Sequence, residues 1–187
     1  MKLKTYALFP PFFSFIIDNK LRSLFENMEK NVELMGAKPG MKVLEVGCGS
    51  GFVTEFLSKA IGKEGFVISV DIQEEMIKKA QSKRGYLQNV DFRTSSASNL
   101  SSIKNEEIDL AFLYYSFHEI EDKENAVSEL FRVIKHNGIL SIKEPRFEVF
   151  KEDRKCYKEF IISHGFKATE SLKNCDFLGC YLKFVKD

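Results

Sequence analysis

From Met41 onward the apolar residues change period repeatedly, from continuous runs to the three-to-four-residue recurrence of amphipathic helices. MKVLEV predicts a buried strand, and Phe52, Val53, Phe56, Leu57, Ala60 and Ile61 then line one helical face that Gly62 closes. GFVISVD, VDFRTS, IDLAFLYY and GILSIKEP predict four more strands. Between them, EEMIKKAQSKR predicts a helix with Met76, Ile77 and Ala80 inward. A further helix is predicted from Asp122 through Ala126, Val127, Leu130, Phe131 and Ile134, stopped by Asn137-Gly138. A last helix from Asp153 to Ser163 precedes two strands, GFKATES and GCYLKFV, joined by a polar turn. Upstream, Asp18 is read as the cap of a helix carrying Leu21, Leu24, Phe25, Met28, Val32 and Met35 and ending at Gly36. Strands alternating with helices need crossover connections, so the expected architecture is α/β. It is a Rossmann-like, doubly wound, seven-stranded and mostly parallel sheet with helices on both faces, and the closing hairpin contributes one antiparallel strand.

VLEVGCGSG stands where the first strand hands over to the first crossover helix, at the sheet edge where ligands of open α/β folds bind. Gly47, Gly49 and Gly51 allow a sharp turn and close approach of backbone to a ligand. A dinucleotide fingerprint would need a further glycine where this chain has Phe52, which disfavours a pyrophosphate. Glu45 is a carboxylate inside an apolar strand, and one turned toward the ligand edge suits a cationic group. Asp71 ends the second strand, where an acid accepts hydrogen bonds from ribose hydroxyls or, more plainly, caps the next helix. Together these residues describe a site for a nucleoside with a positively charged tail.

VLEVGCGSG followed by VISVDIQEEMI resembles the S-adenosylmethionine-binding core of the class I methyltransferases over about residues 30 to 187. IDLAFLYYSFHEIED looks most like the small-molecule, ubiquinone/menaquinone methyltransferase-like branch. The resemblance implies S-adenosylmethionine as cofactor, with the Gly47–Gly51 turn, Cys48 included, under the methionine portion. It also implies Asp71 on the ribose and Ile72 beside the adenine. Ser95 to Ala97 falls where relatives often carry G-D-A, so Ser96 and Ala97 are expected at the adenine, with a hydroxyl in place of the acid. Tyr114 and Tyr115 end the fourth strand, and one of them is expected to face the cofactor. The implied activity is methyl transfer to a small acceptor, with hydrophobic character in keeping with the aromatic N-terminus. A cofactor-binding scaffold without catalysis and a Rossmann-type NAD(P) oxidoreductase are the alternatives.

A sulfonium is already an activated donor, so alignment of the acceptor and exclusion of water do most of the work and no residue is assigned to catalysis. His118 is read as orienting its loop rather than as a base, His136 as a cation at a helix C-terminus, and Cys48 as a small packed residue. The 187 residues fit one domain, with 1–37 as an aromatic and helical cap and 38–187 as the cofactor-binding core. Twenty-eight Lys and Arg against 27 Asp and Glu give a formal charge of +1, which indicates no nucleic-acid partner. Cys48, Cys156, Cys175 and Cys180 form no C-x-x-C pair and no metal-ligand spacing, and isolated reduced thiols point to the cytoplasm. ALFPPFFSFII, from Ala7 to Ile17, is too short to span a bilayer and lacks a leader's cleavage site. Its phenylalanines either pack the first helix onto the sheet or close residues 1 to 17 as a lid over the cofactor.

Overall fold

The computed structural model describes residues 3–10, 26–169 and 175–187. Helix α1 (Met28–Met35) is capped by Asn27, whose side chain accepts from the Lys30 N–H, and ends at the left-handed Gly36. The expected cap at Asp18 lies outside the described residues. There follow β1 (Lys42–Val46), α2 (Phe52–Ile61), β2 (Phe66–Asp71), α3 (Glu74–Arg84), β3 (Val90–Thr94) and β4 (Ile108–Tyr114). A short 3-10 turn, Phe117–Glu119, leads to α4 (Lys123–Val133), β5 (Ile134–Pro145), α5 (Lys151–Ser163), β6 (Phe166–Ala168) and β7 (Gly179–Lys186).

The seven strands form one sheet in the order β3-β2-β1-β4-β5-β7-β6. All neighbours from β3 to β5 pair in parallel, and β7 runs antiparallel to both β5 and β6, so the one reversed strand sits inside the sheet rather than at its edge. Alternation along the strands builds two cores. Leu44, Val46, Ile68 and Val70 pack with Val127 and Leu130 of α4 and Tyr157 and Ile161 of α5. Val43, Val67, Leu110 and Phe112 face the other way, against Val32 and Met35 of α1 and Leu57 and Ile61 of α2. No helix among the described residues is long and apolar enough to cross a membrane.

Two expectations need correction. Asn137-Gly138 does not end a helix: α4 stops at Val133 and the chain enters β5 at once, with Ile134 opposite Ile108 and Ile139 opposite Leu110. The residues between them form an excursion from the ladder in which Asn137 takes φ 62°, and His136 therefore belongs to a strand. Nor are all four cysteines free. Cys175 and Cys180 meet across a single antiparallel bridge and are joined as a disulfide, while Cys48 and Cys156 stay unpaired. Spacing alone hides this pair, because the turn at Asp176, whose Oδ1 accepts from the N–H groups of Leu178 and Gly179 at 2.9 and 2.7 Å, brings the two together.

Candidate active site

A cavity of about 740 Å³ opens at the carboxyl ends of β1, β2 and β4, within the range of small-molecule sites. Gly47, Cys48, Gly49, Asp71, Ile72, Ser96, Ala97 and Tyr114 all line it, which brings together most of the residues singled out in the sequence. The β1–α2 turn is held from below, since the N–H groups of Gly47 and Cys48 donate to Val70 O at 2.8 and 3.1 Å. A Cβ on Gly47, at φ 76°, would stand 2.4 Å from Ser116 Cβ, so only glycine lets the turn lie flat on the end of β4. At Gly51, which opens α2 at φ 81°, a Cβ would meet Arg84 Cδ at 2.9 Å.

Asp71 braces that turn. Its Oδ2 accepts from the Gly49 N–H at 2.8 Å and its Oδ1 from the Gln73 N–H at 2.9 Å, while burial raises its pKa against both bonds. A carboxylate has about four lone-pair sites, so acceptor capacity remains toward the cavity. Ile72 is 55% exposed and offers an apolar surface there. The Ser96 hydroxyl pairs with Ser98 Oγ at 2.8 Å and accepts from the Ser98 N–H, which makes it part of a local turn.

Glu45 is placed differently from its expected role. It does not line the cavity; it lies beneath the glycine turn, where its Oε2 accepts from Thr54 and Ser69 at 2.6 and 2.7 Å. Burial is the main reason its pKa rises to about 7, and the two hydroxyls oppose the shift. Tyr114 and Tyr115 both line the cavity, while both hydroxyls donate to Glu26 Oε1, at 2.7 and 2.9 Å. Between these tyrosines stands Lys143, fully buried, with Nζ 2.9 Å from Glu26 Oε1 and 2.7 Å from Asp176 Oδ2. Tyr115 itself sits at φ 58°, a conformation rare for a bulky side chain.

The next residue of β5 points to the opposite face. Glu144 is completely buried, and its Oε2 lies 2.5 Å from His118 Nδ1 while its Oε1 accepts from the His118 N–H at 3.2 Å. An imidazole nitrogen that close to a carboxylate carries the proton, so the other nitrogen, Nε2, is the one turned away from Glu144. Among the described residues Nε2 has no hydrogen-bond partner, and its neighbours are the cavity-lining Glu119 and Glu148, with oxygens at 3.9 and 4.0 Å. Burial disfavours the imidazolium, but the bond and charge of Glu144, helped by Glu119 and Glu148, outweigh it and raise the His118 pKa.

Residues 3–10 cross this edge as a strap. The Tyr6 N–H donates to His118 O at 3.0 Å, Tyr157 OH donates to Lys4 O, and Gln73 Nε2 donates to Phe9 O at 3.1 Å. Ala7, Leu8, Phe9 and Pro10 line the cavity, while Leu3 and Tyr6 pack on the larger core. In its described part the N-terminal segment is thus both core and cover; Phe12, Phe13 and Phe15 lie outside the described residues.

The methyltransferase domain model matches residues 37–176. The ubiquinone/menaquinone biosynthesis C-methyltransferase of Shewanella oneidensis is 32% identical over 127 residues, 65% of this chain and 50% of that protein. Its counterpart from Hydrogenovibrio crunogenus is 32% identical over 116 residues, 60% of this chain and 45% of that protein. This chain therefore spans about half the length of these curated relatives. An S-adenosylmethionine-dependent methyltransferase structure from Aquifex aeolicus superposes with a TM-score of 0.86 at 26% identity, covering 95% of this chain and 99% of the other. Glycine turn, terminal acid of β2, sheet order and sequence likeness agree, and the chain belongs to the S-adenosylmethionine-dependent methyltransferase domain family.

Proposed function

We propose that this chain holds S-adenosylmethionine along the β1–β2 half of its cavity and methylates a small, largely apolar acceptor admitted at the β4–β5 half. The observation that carries the reading is the continuity of the cavity. It begins at Asp71 and the glycine turn and runs on past them to His118, Glu119 and the strap, so two reactants fit side by side. The residues present suit the donor: Gly47 keeps side-chain bulk out of the turn, and Asp71 has acceptor capacity for ribose hydroxyls. Ile72 and Ala97 supply apolar walls for the adenine, and Ser96 offers a hydroxyl beside them. Gly47, Cys48 and Gly49 bound the methionine portion, with Glu45 and Tyr114 supporting the wall, while Gly51 opens α2 outside the cavity lining and packs toward Arg84.

When bound, the donor supplies a methyl group activated by the sulfonium. What the protein adds is position and dryness: the strap covers the edge, and Leu8, Phe9 and Pro10 give the acceptor an apolar surface. Calorimetry with S-adenosylmethionine, S-adenosylhomocysteine and NAD tests the donor half, and NAD binding as tight as either adenosyl ligand would end the reading. A screen with methyl-labelled donor, read as a mass gain of one methyl group, tests the acceptor half. Tight adenosyl binding with no transfer across a broad screen would mark a binding protein on this fold. We place the chain in the cytoplasm on its unpaired Cys48 and Cys156, a reading the Cys175–Cys180 disulfide opposes; that bond found closed in cell extracts quenched with a thiol-blocking reagent would overturn it in favour of an oxidising compartment.

A further inference from the structure

His118 and Glu144 are the buried pair at the cavity for which alignment of donor and acceptor has no use. A fully buried carboxylate needs more than one donor, and His118 supplies two to Glu144, its backbone N–H and its Nδ1–H, which leaves the other ring nitrogen unused by that pairing. The side chain adds a second bond to the same carboxylate, which fixes the imidazole with Nδ1 inward and Nε2 toward Glu119 and Glu148. We propose that His118, oriented by Glu144, accepts through Nε2 the proton of an uncharged, weakly acidic acceptor as that acceptor is methylated. The proposal rests on the methyl-transfer reading above.

The step balances with the groups named. The acceptor X–H proton passes to Nε2, the electron pair left on X forms the bond to the methyl carbon, and the pair of the broken carbon–sulfur bond stays on sulfur as a neutral thioether. The surroundings favour the imidazolium that results. Glu144 of β5 takes its Nδ1–H, and Glu119 of the turn and Glu148 beyond β5 stand about it. The Tyr6 ring of the strap meets it edge-on at 5.5 Å, and Lys123 of α4 donates to His118 O at 3.2 Å.

The same charges select the acceptor. Among the described lining residues there is no Lys or Arg, and the carboxylic acids are Asp71, Glu119, Glu121, Asp122 and Glu148, of which Glu119 has its pKa pushed up to about 7, chiefly by burial. A carboxylate or phosphate acceptor would enter against them and has no proton to surrender, whereas a neutral X–H meets neither obstacle.

The test uses the full chain saturated with S-adenosylhomocysteine and 4-nitrophenol as a coloured, neutral weak acid. Wild type is expected to bind it below its own pKa with a rise in phenolate absorbance. His118→Asn, whose amide still donates to Glu144, should keep S-adenosylhomocysteine affinity and reduce that rise by about tenfold. 4-Nitrobenzoate, similar in shape but anionic, should bind about tenfold more weakly than 4-nitrophenol. With methyl-labelled donor, formation of 4-nitroanisole should fall by about 10²-fold or more in kcat with little change in KM, and imidazole should restore part of it in His118→Ala. No absorbance rise in wild type, an equal rise in His118→Asn, or benzoate binding as tight as the phenol overturns the proposal. Loss of S-adenosylhomocysteine binding by wild type would overturn the donor reading instead.

Discussion

The two halves of the cavity are built by different means. On the β1–β2 side the wall is backbone: a glycine turn hung on Val70 O and braced by Asp71, with Glu45 sealed below by two hydroxyls. On the β4–β5 side the lining tyrosines and His118 are backed by buried charges, where Lys143 and Glu144 leave one strand toward opposite faces and gather partners from distant parts of the chain. A main-chain wall is fixed by local geometry and tolerates little variation in shape. A wall of ion pairs is held by charges that cannot be left unmatched once water is gone, so it is both more costly to disturb and more reactive.

Lys143→Met should break that contrast most severely. It removes the cation from the buried Glu26, leaving it to the tyrosine hydroxyls, and takes one partner from Asp176, and it should cost about 3–5 kcal/mol in urea unfolding; a loss under about 1 kcal/mol would class the network with surface pairs. Gly47→Ala comes next, at about 2–4 kcal/mol, because its Cβ meets Ser116 and its backbone is left-handed. Adding Ser116→Gly should recover the steric share, and a strictly additive double variant would refute the collision. Asp71→Asn, with one acceptor oxygen left for two N–H groups, should cost about 1–3 kcal/mol of stability and weaken S-adenosylhomocysteine by about 1.5–3 kcal/mol, one to two decades by calorimetry. Unchanged affinity would leave Asp71 as a brace alone.

The most gradual effect concerns pH and the sealed carboxyl. With its folded pKa raised from 4.5 to about 7, Glu45 makes the native state hold more protons than the unfolded chain in that window. Stability should therefore fall as pH rises from about 4.5 to 7, by at most about 1.4 kcal/mol per pH unit from this group. Glu45→Gln should flatten that slope in unfolding curves measured across the window. A slope unaltered by the substitution would show that the carboxyl keeps an ordinary pKa.

The backbone-built half was readable in the chain because its signals are adjacent: three glycines in five residues, then an acid at the end of the next apolar run. The charge-built half was not. GILSIKEP read as a plain strand although Lys143 and Glu144 interrupt its apolar run, the same signal that drew attention to Glu45. Their partners lie 117, 33 and 26 residues away, at Glu26, Asp176 and His118, and only the sheet order brings them together. The Asn137-Gly138 error has a related cause, since a left-handed pair looks alike whether it ends a helix or lets a strand leave and rejoin its ladder. Ser96 kept its expected position at the cavity, but its hydroxyl is drawn into a local turn that residue type alone does not specify.

The strap is fastened unevenly. Near α5 and His118 it is tied by the Lys4 carbonyl, the Thr5 hydroxyl and the Tyr6 N–H, with Leu3 and Tyr6 seated in the core. Beyond Ala7 it is tied by Gln73 on the Phe9 carbonyl and by the Phe9 N–H on Glu119. Local opening begins where fewest contacts must be released, so among the described residues amide exchange is expected sooner at Phe9 than at Tyr6. Release of the Phe9 bonds to Gln73 and Glu119 would then open the Asp71 side of the cavity before the His118 side, an order that hydrogen exchange with and without S-adenosylhomocysteine would test.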